Sequence, residues 1–453
     1  MQNRAETRIL RTGMRVAACV MLLCLAGLLA SCISTSPSGT DTAFNVLLDD
    51  ASLGASTVLG VSGTEYPVLI AGRHVLAVDE ECDISQAVLL SDQYSPMSQS
   101  AEFGQPYVNG ARSGGDGLVY FARHGISRTT DGLENESFIS EDELVLIDPI
   151  DPLSTTSVVL VPGLITRFAG SMPTDDGVRL AAVVWEPPNV GSSAVGVYVG
   201  DRSEWNELWS SASSDLGMVS VLCLETMMTQ DDGPLIVVVG KQTAEPTSSL
   251  AIASISARGD YARIDLSDTG AIWAEAIGVV TTPTGVSMAI AVEYDSGDEG
   301  LLLLNAEGHL REFSLSGRAI GVCSNVVGQG ELIVVRGANA RLSFWGVDGE
   351  SEIPVDTGVV ADLVLPGDLN GDGVEDLLLL ASSREMTPSG QSRWRVGWMP
   401  GDKDGAREPI WGAYLDEDLI SVDLLDVDAD SGLEIVLGLG LDSEGRVSLL
   451  SVR

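Results

Sequence analysis

The sequence predicts an all-β protein, a β-propeller of four-stranded blades. Short apolar strands follow glycine or acidic turns throughout the chain from residue 44 onward, at intervals of about fifty residues, which is the size of one blade. Helical periodicity of useful length is absent beyond the N-terminal segment. Glycine accounts for 50 of the 453 residues, which suits a chain with many tight turns. These features favour one repeat domain over residues 44–453.

Eight apolar strands can be read from the sequence, and their number favours eight blades. They are YPVLIAG from Tyr66, GLVYFA from Gly117, VRLAAVVW from Val178, PLIVVVG from Pro234, GLLLLN from Gly300, ELIVVRG from Glu331, LLLL from Leu377 and IVLG from Ile435. Strands of mixed polarity follow some of them, as in HLREFSL and RLSFWGV. We expect Asn45–Leu48 to pair with the last blade, because SLLSVR at the C-terminus leaves that blade short of an outer strand.

Two acidic loops in the C-terminal part of the chain carry the clearest chemical signal. Residues 368–376 and 426–434 place oxygen-bearing side chains at positions 1, 3, 5 and 9, which is the spacing of a calcium loop. The two copies are offset by 58 residues, about one blade. The predicted ligands are Asp368, Asn370, Asp372, the carbonyl of Val374 and Asp376 in the first loop, and Asp426, Asp428, Asp430, the carbonyl of Gly432 and Glu434 in the second.

Clustered carboxylates repel one another unless they bind a cation, take up protons or remain widely exposed to water. Ca²⁺ accepts six to eight such oxygens in loose geometry, so it is the predicted ion. An EF-hand is disfavoured because Leu379 and Leu437 stand where a bidentate Glu is needed, and strands rather than helices follow the loops. The first loop has Gly373 at the turn position and the second has Ser431. The alternative interpretation is that these residues only form turns.

The N-terminus predicts a lipoprotein signal peptide over residues 1–31. Four arginines precede an apolar run at Val16–Leu29, which is too short for a comfortable membrane span, and Met14 could equally be the start. The run ends in Leu-Ala-Ser-Cys, which resembles the bacterial lipobox. Cys32 is therefore the predicted diacylated residue, followed by a flexible tether over residues 32–43. The alternative is an ordinary secretory peptide with an incidental cysteine.

The composition makes nucleic acid an unlikely partner. Removal of residues 1–31 takes away four arginines and one glutamate, which leaves 64 acidic and 21 basic residues, and only Lys241 and Lys403 are lysines. No basic run is present to hold an anionic lipid surface. A dispersed acidic surface that keeps the protein soluble, or a salt-rich habitat, explains this charge without a functional site.

Three cysteines remain besides the two in the signal peptide and Cys32. Cys223 and Cys323 lie in similar apolar, strand-like contexts, so we expect free, buried thiols there rather than a disulfide, and Cys82 is the third. Trp394 and Trp398 fall on one face of a strand. Burial between blades is the favoured interpretation, and a ligand platform is the alternative.

Other acidic turns contain part of the same pattern but lack the alternation. They are Asp175-Asp176-Gly177, Asp231-Asp232-Gly233 and Asp295 with Asp298. We interpret them as turns without metal.

The two loops, each followed by an apolar strand, resemble the FG-GAP/VCBS repeat of integrin-α-type β-propellers. The specific match covers about 14 residues in each copy. The other six units match the family only in the spacing of their strands and turns. The resemblance implies a propeller of seven or eight blades. It also implies that each loop joins the first two strands of its blade and binds calcium.

Three functions are consistent with these features. The first is a monomeric, lipid-anchored, calcium-stabilised interaction module of the bacterial cell envelope, on the outer membrane or the outer face of the cell membrane. Its partner would be an envelope or extracellular protein or a glycan. The second is an envelope assembly scaffold, similar to the propeller lipoprotein of the outer-membrane β-barrel assembly machinery. The third is a propeller-type polysaccharide lyase or hydrolase.

The residues argue against the enzyme. His74, His124 and His309 are the only histidines, and none has a metal-ligand spacing. The sequence contains no GxSxG nucleophile elbow, no CxxC pair and no phosphate-binding loop. Carboxylates are too abundant to single out a catalytic acid and base. A cleft that brings His or Arg together with two carboxylates would favour the enzyme again.

Overall fold

The computed structural model describes most of the chain beyond the predicted signal peptide and tether. The described residues are 43–50, 58–61, 67–71, 74–78, 84–90, 94–96, 107–108, 119–128, 139–148, 155–171, 174, 176–187, 193–201, 203–211, 218–229, 233–242, 250–282, 285–324, 326, 330–337, 340–347, 352–402, 408–427, 432–440 and 445–452. The predictions for the signal peptide, the lipid anchor at Cys32, the tether up to residue 42, and Cys82 lie outside these residues.

The described residues form strands throughout, with one turn of 3₁₀ helix at Ser267–Thr269. The strands of the N-terminal half are β1 (Phe44–Asp50), β2 (Val58–Val61), β3 (Val68–Ala71), β4 (His74–Val78), β5 (Ile84–Leu89), β6 (Tyr94–Pro96), β7 (Tyr107–Val108), β8 (Val119–Arg128), β9 (Ile139–Ile147), β10 (Thr155–Val161), β11 (Leu164–Gly170), β12 (Arg179–Glu186), β13 (Ala194–Gly200), β14 (Trp205–Ser210), β15 (Met218–Thr229) and β16 (Gly233–Gln242).

The C-terminal half continues in the same way. Its strands are β17 (Leu250–Ser256), β18 (Tyr261–Asp265), β19 (Ala271–Thr282), β20 (Gly285–Tyr294), β21 (Glu299–Asn305), β22 (Leu310–Ser314), β23 (Arg318–Ser324), β24 (Glu331–Arg336), β25 (Arg341–Gly346), β26 (Glu352–Asp356), β27 (Leu363–Gly367), β28 (Asp376–Met386), β29 (Ser392–Met399), β30 (Ile410–Tyr414), β31 (Leu419–Leu425), β32 (Glu434–Leu439) and β33 (Arg446–Val452).

These strands form eight antiparallel four-stranded sheets, the blades of an eight-bladed β-propeller. Blades 1 to 8 are β2-β3-β4-β5, β6-β8-β9-β10, β11-β12-β13-β14, β15-β16-β17-β18, β19-β20-β21-β22, β23-β24-β25-β26, β27-β28-β29-β30 and β31-β32-β33-β1. First strands of successive blades pack against one another, as β15 packs on β19 and β31 on β2. The first strands therefore surround the central axis, and the predicted fold class and eight blades are confirmed.

Each blade buries both faces of its second strand. In β28, Leu377 and Leu379 pack toward blade 6, whereas Leu378 and Leu380 pack toward blade 8. This two-residue alternation explains why such strands appear in the sequence as continuous apolar runs. The described residues contain eight buried apolar clusters, one at each junction between neighbouring blades, including the junction of blade 8 with blade 1. The core is thus a closed ring.

The chain closes this ring with its first strand. β1 pairs antiparallel with β33, with Phe44 opposite Val452 and Asp50 opposite Val447. A register shift between Val46 and Leu48 marks a β-bulge. The predicted pairing of Asn45–Leu48 with the last blade is therefore confirmed.

Seven of the eight apolar strands read from the sequence are second strands of their blades. The eighth, GLLLLN, is β21, the third strand of blade 5. The second strand there is β20, whose alanines and glutamate dilute the apolar signal. The sequence therefore identified one strand in every blade, but its place within blade 5 differs.

β7 adds a strand that the sequence analysis did not anticipate. It lies in the long connection between β6 and β8 of blade 2, yet it pairs in parallel with β31, the first strand of blade 8. Tyr107 is opposite Ser421, and Val108 is opposite Val422. The connection thus covers part of the inner edge of another blade.

Alternating strand directions give the ring two different faces. One carries the connections from first to second strands, and we call it the loop face. The other carries the connections from each outer strand into the next blade, and we call it the entry face. β33, the third strand of blade 8, ends on the loop face. Phe44, the first residue of β1, lies opposite Val452 at that end, so the described part of the chain begins on the loop face.

Candidate calcium loops and their surroundings

The first acidic loop connects β27 to β28 in blade 7, so it lies on the loop face. Gly371 and Gly373 adopt the left-handed conformation, with φ of 72° and 77°. L-residues with a Cβ rarely adopt this conformation, which explains the two glycines of the motif. The connection between first and second strands is the one that the FG-GAP resemblance implies.

Side-chain oxygens in this loop turn back toward its own amides. Asp368 accepts hydrogen bonds from the backbone N–H groups of Asp372 (3.1 Å) and Gly373 (2.8 Å). The Oδ1 of Asn370 accepts from Asp372 N–H at 2.9 Å, and Asp372 accepts from Val374 N–H at 2.8 Å. Asn370 and Asp372 are exposed, and Asp368 and Val374 are half-buried.

Asp376 is the buried member of the set. Its two carboxylate oxygens accept N–H groups from Leu369 at 3.1 Å and from Gly401 at 2.7 Å. The pKa of Asp376 is raised to about 6, chiefly by burial; the two hydrogen bonds lower it and the nearby charges of Asp372 and Asp368 raise it. The three carboxylates therefore repel one another, which a bound cation would relieve.

The oxygen chemistry of this loop suits a hard cation. Ionised carboxylates have about four acceptor positions each, so the backbone hydrogen bonds leave capacity on each of the three. Among the described residues, no group of three or more His, Cys, Asp or Glu side chains converges as a metal centre. In the first loop, backbone amides hold the carboxylates instead. The side-chain oxygens of this loop are of the type that binds calcium. In the described structure they accept hydrogen bonds from backbone N–H groups of the same loop.

The second loop repeats one element of this arrangement. Glu434 is buried and accepts the N–H of Val427 at 2.8 Å, as Asp376 accepts that of Leu369. The two acceptors are offset by 58 residues, and so are the two donors. Asp426 is exposed, whereas Asp428 and Asp430 lie outside the described residues.

The two loops are in direct contact. The N–H of Leu433 donates to the carbonyl of Asp368 at 2.9 Å. A Cβ at Gly367 would lie 2.9 Å from methyl groups of both Leu424 and Leu433, so a side chain there would displace both methyl groups. The loops therefore form one continuous edge across blades 7 and 8.

The partial acidic turns occupy different places. Asp176 lies in the connection of β11 to β12, and residues 231 and 232 lie in that of β15 to β16, outside the described residues. Asp295 and Asp298 lie between β20 and β21, on the entry face. This last pair is therefore not equivalent to the calcium-type loops.

Two further carboxylates on the loop face were missed by the sequence analysis. Glu331 accepts the N–H of Thr281 from the preceding blade, and Glu375 accepts that of Ser324 in the same way. Burial raises the pKa of Glu375, although the Ser324 hydrogen bond opposes this. Both acids stand at the beginning of an apolar second strand, which is the sequence signal that could have identified them.

Two of the three histidines have local polar contacts. His124 lies on a β-bulge with Gly125, whose φ is 71°, and its Nδ1 is 2.7 Å from Asp142. Asp142 is buried and also accepts the N–H of Ile165 at 3.0 Å, which links blades 2 and 3. His309 is exposed beside Glu307.

One cavity brings an arginine and two carboxylates together on the axial wall. It has a volume of about 60 Å³ and is lined by Arg167, Glu225 and Glu275, among others. Arg167 donates to the carbonyl of Leu222, and Glu275 accepts from Arg318 at 3.1 Å. Burial lowers the pKa of Arg167. The volume is that of a small group of water molecules.

The predicted burial of the aromatic and thiol side chains is confirmed. Trp394 and Trp398 are 3 % and 5 % exposed, within the cluster between blades 7 and 8. Cys223 and Cys323 are free and buried. Within the described part of the chain, no helix is both long and apolar enough to span a membrane.

Comparison with known proteins gives the fold alone. No protein-family model matches the sequence, and no curated protein matches it significantly. Sqt1 from Saccharomyces cerevisiae is similar in structure, with a TM-score of 0.50 at 12% identity over 91% of this chain and 100% of that chain. BamB from Moraxella catarrhalis has a TM-score of 0.45 at 10% identity over 90% and 99% of the two chains. The Trypanosoma rangeli sialidase has 0.33 at 12% identity over 66% and 56%. Scores below 0.5 carry no argument about function.

Proposed function

We propose that this β-propeller is a calcium-stabilised, lipid-anchored binding module of the bacterial cell envelope, related to the FG-GAP/VCBS propellers. The observation that carries the proposal is the pair of acidic loops in adjacent blades. They share a buried carboxylate at position 9, and the Leu433–Asp368 hydrogen bond joins them. The same hydrogen bond from a backbone amide to a buried carboxylate occurs in both loops, 58 residues apart. Two unrelated turns would not need to share it.

Calcium would be held in the first loop by Asp368, Asn370, Asp372, Asp376 and the carbonyl of Val374. The ion would supply positive charge at the point where the carboxylates repel one another. The second loop would use Asp426, Asp428, Asp430, Glu434 and the carbonyl of Gly432. Because the loops touch, calcium in either would stiffen the junction of blades 7 and 8.

The lipid anchor would limit the distance of the propeller from the membrane. The described chain begins on the loop face at Phe44, and the twelve residues from Cys32 to residue 43 span at most about 40 Å. A diacylated Cys32 would therefore hold Phe44 within about that distance of the membrane.

Binding is a better interpretation than catalysis. In the described residues, Arg167 and Glu275 of the axial cavity are used in contacts between blades. His124 is engaged with Asp142, which holds two blades together. These groups have structural partners, whereas a catalytic site needs groups directed at a substrate.

Calcium binding predicts a calcium-dependent thermal stability. Calcium that binds only the folded state raises the melting temperature through linkage, so addition of a chelator to the purified protein should lower it. Asp372→Asn should reduce this shift, because it removes a ligand charge. Scanning calorimetry with calcium and with chelator measures both effects.

Asp201→Asn is the matched control. Asp201 is an exposed turn residue of blade 3 that accepts the N–H groups of Ser203 and Glu204, far in sequence from either acidic loop. This variant should keep the full calcium shift. A melting curve of the wild type that does not respond to chelator would contradict the calcium proposal.

The anchor has a separate test. Cys32→Ala should move the protein from the membrane fraction to the soluble fraction, because it removes the only predicted acylation site. Detergent-phase partitioning of both proteins, with Cys82→Ala as the control, measures the effect. Unchanged partitioning of the Cys32 variant would contradict lipid anchoring.

A further inference from the structure

Three large aliphatic side chains are exposed on the entry face where first strands begin. They are Leu164, Ile272 and Val360, with exposed fractions of 54%, 44% and 42%. They belong to the connections into blades 3, 5 and 7, so they stand around the axis in alternate blades. We call these three residues the collar. Leu419 at the same point of blade 8 is buried, so exposure is not a general property of this position.

The turns that carry the collar are built in a repeated way. Ile272 and Val360 both stand two residues after the glycine of an Asp-Thr-Gly sequence, at residues 268–270 and 356–358. Gly270 and Gly358 have φ of 74° and 66°. In one turn Thr357 Oγ1 donates to the carbonyl of Val359 at 2.6 Å. The side chains are thus presented on fixed backbone, which lowers the entropic cost of binding a partner.

The charges beside the collar select the kind of partner. Near Ile272, Arg318 pairs with Glu275 at 3.1 Å, and near Val360, Arg336 pairs with Asp362 at 2.8 Å. These arginines are therefore already engaged with carboxylates of the same chain. The chain as a whole carries a formal charge of −40, so an anionic partner and a second copy are both repelled.

We infer that the collar is the docking surface for a protein segment that combines aliphatic side chains with lysine or arginine. The aliphatic groups would cover the collar, and the basic groups would be attracted by the net negative charge of the chain. This inference rests on the proposed binding function and names the surface and partner chemistry that serve it. Leu89 and Met386, exposed by 60% and 61%, lie on the same face and would extend the contact.

A synthetic probe tests this chemistry. The probe is a labelled peptide of alternating leucine and lysine, compared with a peptide that has serine in place of leucine. The test protein combines Leu164→Ser, Ile272→Ser and Val360→Ser. The control combines Val46→Ser, Met228→Ser and Ile410→Ser, which are exposed by 39%, 42% and 39% away from the entry face. Melting curves check that both variants fold.

Fluorescence anisotropy should show that the collar variant binds the leucine–lysine peptide about tenfold more weakly than the wild type, since lost apolar contact costs affinity. The control should bind like the wild type.

Equal binding by the two variants overturns the proposal. Equal binding of both peptides by the wild type also overturns it, because the attraction would then be charge alone. Two further results would also overturn the proposal. One is a dimer in sedimentation that the collar variant does not form, and the other is flotation of the soluble domain with liposomes that the collar variant loses. Each would show that the collar binds another occupant.

Crosslinked capture from the native envelope separates this proposal from the proposed function. A partner captured by the wild type and the control, but lost by the collar variant, supports both. A partner retained by the collar variant overturns the collar and leaves the binding function standing. The absence of any wild-type partner, together with peptide binding that depends on the collar, contradicts the envelope binding function and supports the surface.

Discussion

Asp376 differs from the other acidic residues of its loop because it is buried. The first four acceptor positions of the loop lie at the surface or near it, where water stabilises their charge. The Asp376 carboxylate relies on two amide donors instead, from Leu369 and Gly401. It is therefore the group most sensitive to the charge state of its neighbours.

The stability of the calcium-free protein should fall as pH rises between about 4 and 6. The pKa of Asp376 is raised from 3.8 in the unfolded chain to about 6, so over this interval the folded state retains a proton that the unfolded state has lost. The contribution is up to about 1–3 kcal/mol, is lost as the pH rises through about 6, and levels off about one pH unit above that. Chemical denaturation with chelator at several pH values measures it.

Asp372→Asn is the informative variant for this effect. It keeps an acceptor for the N–H of Val374 and removes a negative charge that raises the pKa of Asp376. The carboxyl resonance of Asp376 in carbon-13 NMR should then titrate at lower pH than in the wild type. A titration midpoint that stays unchanged or rises would contradict the assigned coupling.

The spacing of the loop residues was predictable from the sequence, but their environment was not. Alternating oxygen-bearing residues before an apolar strand identified Asp368 through Asp376. That Gly401, from another connection of blade 7, supplies an amide to Asp376 depends on how the chain folds back. The same holds for the Glu375 contact with Ser324, because a partner in a neighbouring blade has no fixed spacing in the sequence.

At the scale of elements, β1 contributes to stability through its first residue. Phe44 is 4% exposed and belongs to the cluster between blades 7 and 8, whereas Val46 on the same strand is 39% exposed. The strand therefore completes a blade by backbone pairing and also fills part of the core.

Phe44→Ala should destabilise the protein by about 3–5 kcal/mol, because it removes a buried ring and leaves a cavity. Val46→Ala on the same strand is the control and should cost well under half as much. Urea denaturation at fixed calcium measures both changes. Similar losses for the two variants would show that the ring of Phe44 does not contribute through burial.

Second strands were the most readable elements in the sequence, and outer connections the least. A strand buried on both faces must be apolar at every position, as β12 is from Leu180 to Trp185. Several turns between outer and first strands contain a glycine with positive φ, such as Gly163, Gly270 and Gly358. Glycine does not mark every blade boundary, because the connections into blades 2 and 8 have none, and it is common elsewhere in this chain.

At the scale of the whole molecule, the negative charge opposes compaction. The chain of 453 residues carries a formal charge of −40, with few basic residues to offset it. Some of those basic residues are used in ion pairs, as in the contacts of Arg446 with Asp49 at 3.4 Å and Glu417 at 3.0 Å at the seam of blade 8. The remaining repulsion should respond to ionic strength.

Sodium chloride should raise the melting temperature by a few degrees between about 20 mM and 0.5 M, since the screening length shrinks from tens of ångströms to a few. Choline chloride at equal ionic strength should do the same, because screening does not depend on the identity of the cation. Differential scanning fluorimetry in chelator measures this effect separately from calcium binding. A fall in melting temperature with both salts would contradict self-repulsion.

The eight-bladed ring was predictable from the regular spacing of the apolar strands, but the additional strand β7 was not. Eight strands at blade-sized intervals and an unpaired final blade led to eight blades and to closure by β1. β7, with only two residues, has no pattern that distinguishes it from a loop. Its pairing with β31 depends on the three-dimensional closeness of blades 2 and 8 to the axis.

Closure by β1 also has a consequence for the order of events during synthesis. Asp49 and Arg446, which meet at the seam, are 397 residues apart in the chain. The ribosome makes β1 long before β33, and pairing over such a separation is slow. Until β33 is made, the edge of β1 is open to other strands. The seam between β1 and β33 is therefore the last part of the ring that can form.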